Sequence, residues 1–329
     1  MNRIGWLLAA LVMAALVPAL LGGTDLLPRL RSFPPGLLLM LFGMILACWT
    51  LNALRLRLLL GSQGEKIGRM RSLGVVMATE FAICTTPGGS GGPLTLMALL
   101  SRDRVRPAHS GAVYAMDQLN DLLFFLCAVL GIVIYTLFHR LGRSFEGMLL
   151  GSALLMLSIL GLGVMLLRWR RPLMRGNGRL LKRLNVRAST RRRWARRLLN
   201  FFRAFTATLR LPRRILALVF GLTCLHWAMR YSVLYLVLIG LGGDLQWIAS
   251  FLVQVLALTA GQFSLLPGGA GAAELTSATL LTPMVGKSTA AAAVLVWRVV
   301  TYYFYLVAGG PVFLCLLGKP LLQRIGLRR

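Results

Sequence analysis

Apolar residues in this chain come in long runs separated by short, basic stretches. Six runs, at about residues 4–21, 36–54, 112–138, 148–167, 215–239 and 289–317, are each close to the roughly 20 residues that an α-helix needs to cross a bilayer. Two further runs, 73–100 and 247–285, are interrupted by glycine and proline, and each half of the first is too short to cross alone. The first break reads Thr86-Pro87-Gly88-Gly89-Ser90-Gly91-Gly92-Pro93 and the second Leu266-Pro267-Gly268-Gly269-Ala270-Gly271-Ala272-Ala273-Glu274. A half-length helix, a break and a second half-length helix predict a re-entrant hairpin, which enters the membrane and returns to its own side. The expected fold is therefore an all-α polytopic membrane protein, with about six transmembrane helices and two re-entrant hairpins.

Composition agrees with one integral membrane domain over 1–329. The chain is 57% hydrophobic and 14% charged, with mean hydropathy +0.74, and has too few polar residues to cover a soluble globule. The N-terminal run, 4–21, is long and lacks an Ala-x-Ala site, so it reads as an uncleaved first crossing. Residues 23–35, with Pro28, Pro34 and Pro35, read as a turn-rich loop, and Arg55 and Arg57 as side chains that snorkel from the end of the second crossing.

The net charge of +28 would ordinarily suggest nucleic acid, but the basic residues flank apolar runs, where they set orientation and attract anionic headgroups. Placing the basic loops inside gives cytoplasmic termini and makes the two hairpins enter from opposite faces, as an inverted-topology repeat requires. Residues 168–214 hold 17 Lys or Arg and no acid. Within them, Trp194, Leu198, Phe201, Phe202 and Phe205 alternate with arginines. That pattern predicts either an amphipathic helix on an anionic leaflet or a solvated loop that only fixes orientation.

Glycine-rich breaks at membrane depth free backbone amides, and the helix starting after each break turns its positive dipole end toward the midplane. Pro87, Gly88, Gly89 and Gly91, with Pro267, Gly268, Gly269 and Gly271, are the candidate binding backbone. A phosphate or carboxylate would satisfy these amides; a tightly packed glycine kink is the alternative. Ionisable residues at depth are costly unless paired, by about 3 kcal/mol or more each at the centre. They are Glu80, Asp117, Asp121, Arg230, Glu274 and Arg298. Arg230, Glu274 and Arg298 are the candidate substrate contacts, and Asp117, Asp121 and Glu80 the candidate coupling or gating acids. The expected pairs are Glu274 with Arg298, and Asp117/Asp121 with Arg230. Bracing ion pairs without a transport role are the competing reading.

Enzyme signatures fail. Gly286-Lys287-Ser288 ends like a phosphate-binding loop, but its required earlier glycine falls on Leu281. His109, His139 and His226 are isolated, and the five cysteines are scattered without ligand spacing, so no metal or other cofactor is expected.

The Pro-Gly-Gly-x-Gly-x-x-Glu run at 267–274, its partial copy at 87–92 and the surrounding apolar runs resemble the flippase-like transmembrane region of lysylphosphatidylglycerol synthases, including its stand-alone bacterial inner-membrane form. The resemblance implies movement of an aminoacylated or other anionic lipid between leaflets, with no reaction in the membrane region. It carries over Pro267, Gly268, Gly269, Gly271 and Glu274, and, through the shorter motif, Pro87, Gly88 and Gly91. Leu94 stands opposite Glu274 in the first motif, a departure that bears on the headgroup.

The expected function is thus a lipid flippase or transporter. A small-anion secondary transporter and a non-transporting membrane partner of a lipid-synthesis enzyme are the alternatives. Expected partners are anionic phospholipids, with a second copy of the chain or a cytoplasmic lipid-synthesis enzyme as further candidates, and no nucleic acid.

Overall fold

The computed structural model describes residues 3–139, 188–264 and 266–324, together with isolated positions between 150 and 168. Among the described residues the chain is helical throughout, without a strand. Five stretches among them are long and apolar enough to cross a bilayer: Leu11–Arg31, Pro35–Leu60, Pro107–Ile134, Arg213–Gly240 and Lys287–Leu317. They correspond to five of the six expected crossings. The remaining one, 148–167, lies outside the described residues apart from isolated positions.

The first crossing is longer than its sequence suggests. Helix α1 (Arg3–Gly22) continues through a 3₁₀ turn (Gly23–Asp25) into α2 (Leu26–Arg31), where a loop was expected. Leu26 and the following Phe33 are buried, and this apolar anchoring outweighs the turn propensity of Pro28, whose place in the first turn of α2 needs no amide hydrogen. Helix α3 (Pro35–Leu60) begins on a proline at N1 and runs 26 residues, about 39 Å at 1.5 Å per residue, past the expected end at residue 54. A short α4 (Ser62–Lys66) follows.

The first interrupted segment forms α5 (Arg69–Thr85), a 3₁₀ break (Pro87–Gly89) and α6 (Gly91–Arg102). Helices α5 and α6 pack on one another, and Arg71 Nε lies 3.2 Å from Asp103 Oδ2, which ties the start of one to the end of the other. The segment therefore turns back to where it began. After α7 (Pro107–His139), α8 (Ala188–Leu209) and α9 (Arg213–Gly240), the second interrupted segment forms α10 (Trp247–Gln262), a second 3₁₀ break (Pro267–Gly269) and α11 (Ala272–Val285), again packed as a pair.

The last crossing fixes how the hairpins face each other. It consists of α12 (Lys287–Arg298), a π turn (Val299–Tyr303) and α13 (Phe304–Arg324). At its start, Thr289 lies beside Gly243 at the base of the second hairpin. At its other end, the Leu316 carbonyl accepts a hydrogen bond from Arg102, and Leu316 packs on Gly74, both at the base of the first. The bases thus sit at opposite ends of one 31-residue apolar span, and the hairpins point toward one another. Their tips meet: the two Pro-Gly-Gly breaks touch, and the Gly88 backbone approaches the Gln262 carbonyl.

Packing around the π turn holds the centre. Trp49 of α3 stacks on Phe304 (centroids 5.5 Å) and meets Tyr305 edge-on (4.9 Å), and Phe81 of α5 lies against Gly309 and Gly310. Helix α8 packs along α7, with Phe205 buried and Phe201 against Gly111. Part of the apolar face expected to enter a leaflet is therefore used against α7, while Leu199 and Leu209 stay exposed, as do Arg196, Arg203 and Arg210 at seven-residue spacing.

Candidate functional site at the meeting hairpins

Both tips repeat one backbone solution. After the proline, Gly88 (φ 56°) and Gly268 (φ 64°) take the left-handed conformation that lets the chain reverse within three residues. At Gly268 the requirement is also steric, since a Cβ would stand 2.1 Å from Tyr302 Cε2. The Tyr302 hydroxyl donates to the Pro267 carbonyl (3.4 Å) and Arg298 Nη1 to the Gly268 carbonyl (3.4 Å), so the last crossing grips the second tip from below. Close packing accounts for much of the glycine content there.

The tips differ in the amides they leave free. In the first, Thr86 Oγ1 caps the Gly91 amide (2.8 Å) and Pro93, in the first turn of α6, has no amide hydrogen to offer. In the second, no side chain caps α11, and among the described residues the first-turn amides of Ala272, Ala273 and Glu274 find no acceptor. The amides of Gly92 and Leu94 in the first tip are likewise without an acceptor among the described residues, so free donors remain on both hairpins.

Glu274, in that first turn, is completely buried at 0% exposure, with Oε1 2.6 Å from Nε of Arg298, itself 3% exposed. This is the pairing expected from sequence. The atoms are at ion-pair distance without an aligned hydrogen bond, and among the described residues Glu274 Oε2 and Arg298 Nη2 have no partner either. Two opposite charges thus neutralise each other but keep unused donors and acceptors. Arg298 also lies over the rings of Trp297 (5.1 Å) and Tyr302 (5.4 Å), which offset part of its desolvation.

A second charged cluster differs from the expected one. Arg55 does not snorkel; α3 continues past it, its side chain is 1% exposed, and Nη2 lies 2.6 Å from Asp117 Oδ1 and 2.7 Å from Asp121 Oδ1. Arg55, rather than Arg230, holds the aspartate pair, with Asn52 Oδ1 accepting from Nη1 (3.0 Å) and Trp227 Nε1 donating to Asp121 (2.8 Å). Arg230 instead hydrogen-bonds the Tyr305 hydroxyl and lies over that ring (4.8 Å). Glu80 is only partly buried and stands in electrostatic range of Arg230, Asp121 and Arg55. The two clusters adjoin through Tyr302 and Tyr305, both brought inward at the π turn.

Sequence reasoning missed Arg55, Asn52 and Trp227. The signal for Arg55 was present: Leu56 and Leu58 to Leu60 continue the apolar run beyond it. His226 makes a hydrogen bond with the Cys48 carbonyl (3.3 Å). Among the described residues no group of three or more His, Cys, Asp or Glu converges to hold a metal ion.

The architecture has relatives. The model of the transmembrane region of lysylphosphatidylglycerol synthases matches residues 6–309. The chain belongs to that family. It is also similar to a UPF0104 membrane protein of Archaeoglobus fulgidus, 25% identical over 272 residues, covering 81% of this chain and 82% of the relative. The family match spans both hairpins and both charged clusters, so this member of the lysylphosphatidylglycerol synthase transmembrane family is a multi-pass membrane protein along most of its length.

Proposed function

We propose that the protein is a lipid transporter that moves an anionic or aminoacylated phospholipid between the leaflets of a bacterial inner membrane, with both termini cytoplasmic and no covalent reaction. The observation that carries this reading is the meeting of two opposed, glycine-broken tips beside a buried Glu274–Arg298 pair with unused hydrogen-bonding atoms. Irregular backbone and buried charge at membrane depth are tolerated where they line a cavity or a ligand path.

In this mechanism a headgroup phosphate reaches the first-turn amides of α11 and Arg298 Nη2, while the acyl chains remain in lipid. Competition for Arg298 releases Glu274, and the second tip, held by Arg298 and Tyr302, loosens from the last crossing. A ligand shifts such an equilibrium only through its differential affinity for the two states, and Arg298 supplies it by exchanging one anion for another. Arg230 is a second headgroup contact in the adjoining cluster. Asp117, Asp121 and Glu80 couple or gate the movement, and exposed arginines on α8 draw anionic lipid to the entry side. Headgroup-labelled lipid exchange in proteoliposomes tests the reading: Arg298→Gln is expected to abolish exchange above the protein-free rate, and unchanged exchange would contradict it.

A further inference from the structure

The Arg55 cluster carries one more negative charge than it can balance. Facing Asp117 are Arg55 from α3, Glu80 from α5, Tyr114 and Asp121 from α7, and, adjoining these, His226 and Arg230 from α9 with Tyr305 from α13. Among the described residues this is three carboxylates against two guanidiniums. The imbalance lies in crossing helices, where an uncompensated charge costs about 3 kcal/mol or more.

The hydrogen bonds locate it. Asp121 Oδ1 takes two donors, Arg55 Nη2 and Trp227 Nε1, and Arg230 faces Glu80. Asp117 is left with a share of the same Arg55 nitrogen, so the two aspartate oxygens stand no more than about 5 Å apart on one donor. It is also the more accessible, at 33% against 16%.

A second observation points to a small ligand. Arg55 Nε, in a side chain 1% exposed, has no acceptor among the described residues, and a buried N–H of a charged group requires one. A water molecule would supply that acceptor. A metal cation is disfavoured, because the three carboxylates do not converge as a ligand set.

We propose that Asp117 is a proton-binding site, distinct from the hairpin site, whose occupancy neutralises the Arg55 cluster. The step is simple: a proton from water forms an O–H bond on the Asp117 carboxylate, Arg55 stays paired with Asp121, and no electron moves. A cluster that is neutral only when loaded gives transport a proton dependence. That consequence rests on the transport reading, whereas proton binding does not.

Infrared difference spectroscopy of the reconstituted full chain, stepped between mildly alkaline and mildly acidic buffer, reads the proton directly. The parent is expected to gain a carboxylic-acid carbonyl band on acidification, lost in Asp117→Asn and shifted but present in Asp117→Glu. Absence of the band in the parent, or its persistence in Asp117→Asn, overturns the proposal. Should Asp117→Asn fail to fold, isotopically labelled aspartate in the parent serves instead, and a band that does not shift with the label overturns it equally. Lipid exchange in the same vesicles separates the two ideas. A band without exchange removes the transport reading alone, and exchange without a band removes this proposal alone.

Discussion

At Gly268 one methyl group decides whether the second tip can close on the last crossing. Gly268→Ala adds a Cβ 2.1 Å from the Tyr302 ring on a positive-φ backbone, so it is expected to cost about 1–3 kcal/mol, read as a lowered melting temperature in detergent. Gly43→Ala, in the interior of α3 with open space at its Cβ, is the control and is expected to be neutral or stabilising by up to about 1 kcal/mol. Arg55→Leu strands two carboxylates and is expected to destabilise by about 3–5 kcal/mol, against no measurable change for the exposed Arg31→Ala. Much of this was legible in residue types, since the positive φ at Gly88 and Gly268 favours glycine and the Tyr302 ring leaves no room for a Cβ at Gly268. Arg55 was misread because a basic residue among leucines near a run's end looks like an interfacial anchor, and nothing local identifies carboxylates 62 and 66 residues further along the chain.

Among elements, the hairpins read most clearly from sequence, because half-length apolar runs around Pro-Gly-Gly leave few other folds. Tip contact was not legible, since it depends on how α12 and α13 bring the two bases to opposite ends of one span. Nor was the π turn, which Val299 to Tyr303 do not announce; its effect is a register shift that turns both Tyr302 and Tyr305 inward. A cysteine pair at Gly88 and Gln262, in a variant whose exposed Cys127 and Cys315 are replaced by serine, is expected to cross-link on mild oxidation, and failure in the intact protein would contradict tip contact. Helix α8 teaches a related point. Its amphipathic pattern was plain, but a periodic apolar face does not say whether lipid or α7 will cover it.

For the whole molecule, opposed hairpins whose bases lie at the two ends of the last crossing imply two accessible sides and one shared centre. Cysteines at Glu65, beside the first base, and at Asp244, beside the second, are expected to react with an impermeant maleimide from opposite sides of sealed vesicles. The chain's large basic excess supports anionic lipid as the environment and the cargo. The central claim is that the buried pair at the tips handles that cargo, and Glu274→Gln tests it most directly. It removes one charge and keeps the side-chain shape, leaving Arg298 without its internal counter-ion. Measured as leaflet exchange of headgroup-labelled anionic lipid in proteoliposomes, the parent is expected to exceed protein-free vesicles and Glu274→Gln to fall to their rate with the fold retained. Exchange at the parent rate in Glu274→Gln, or no excess in the parent, would contradict the account.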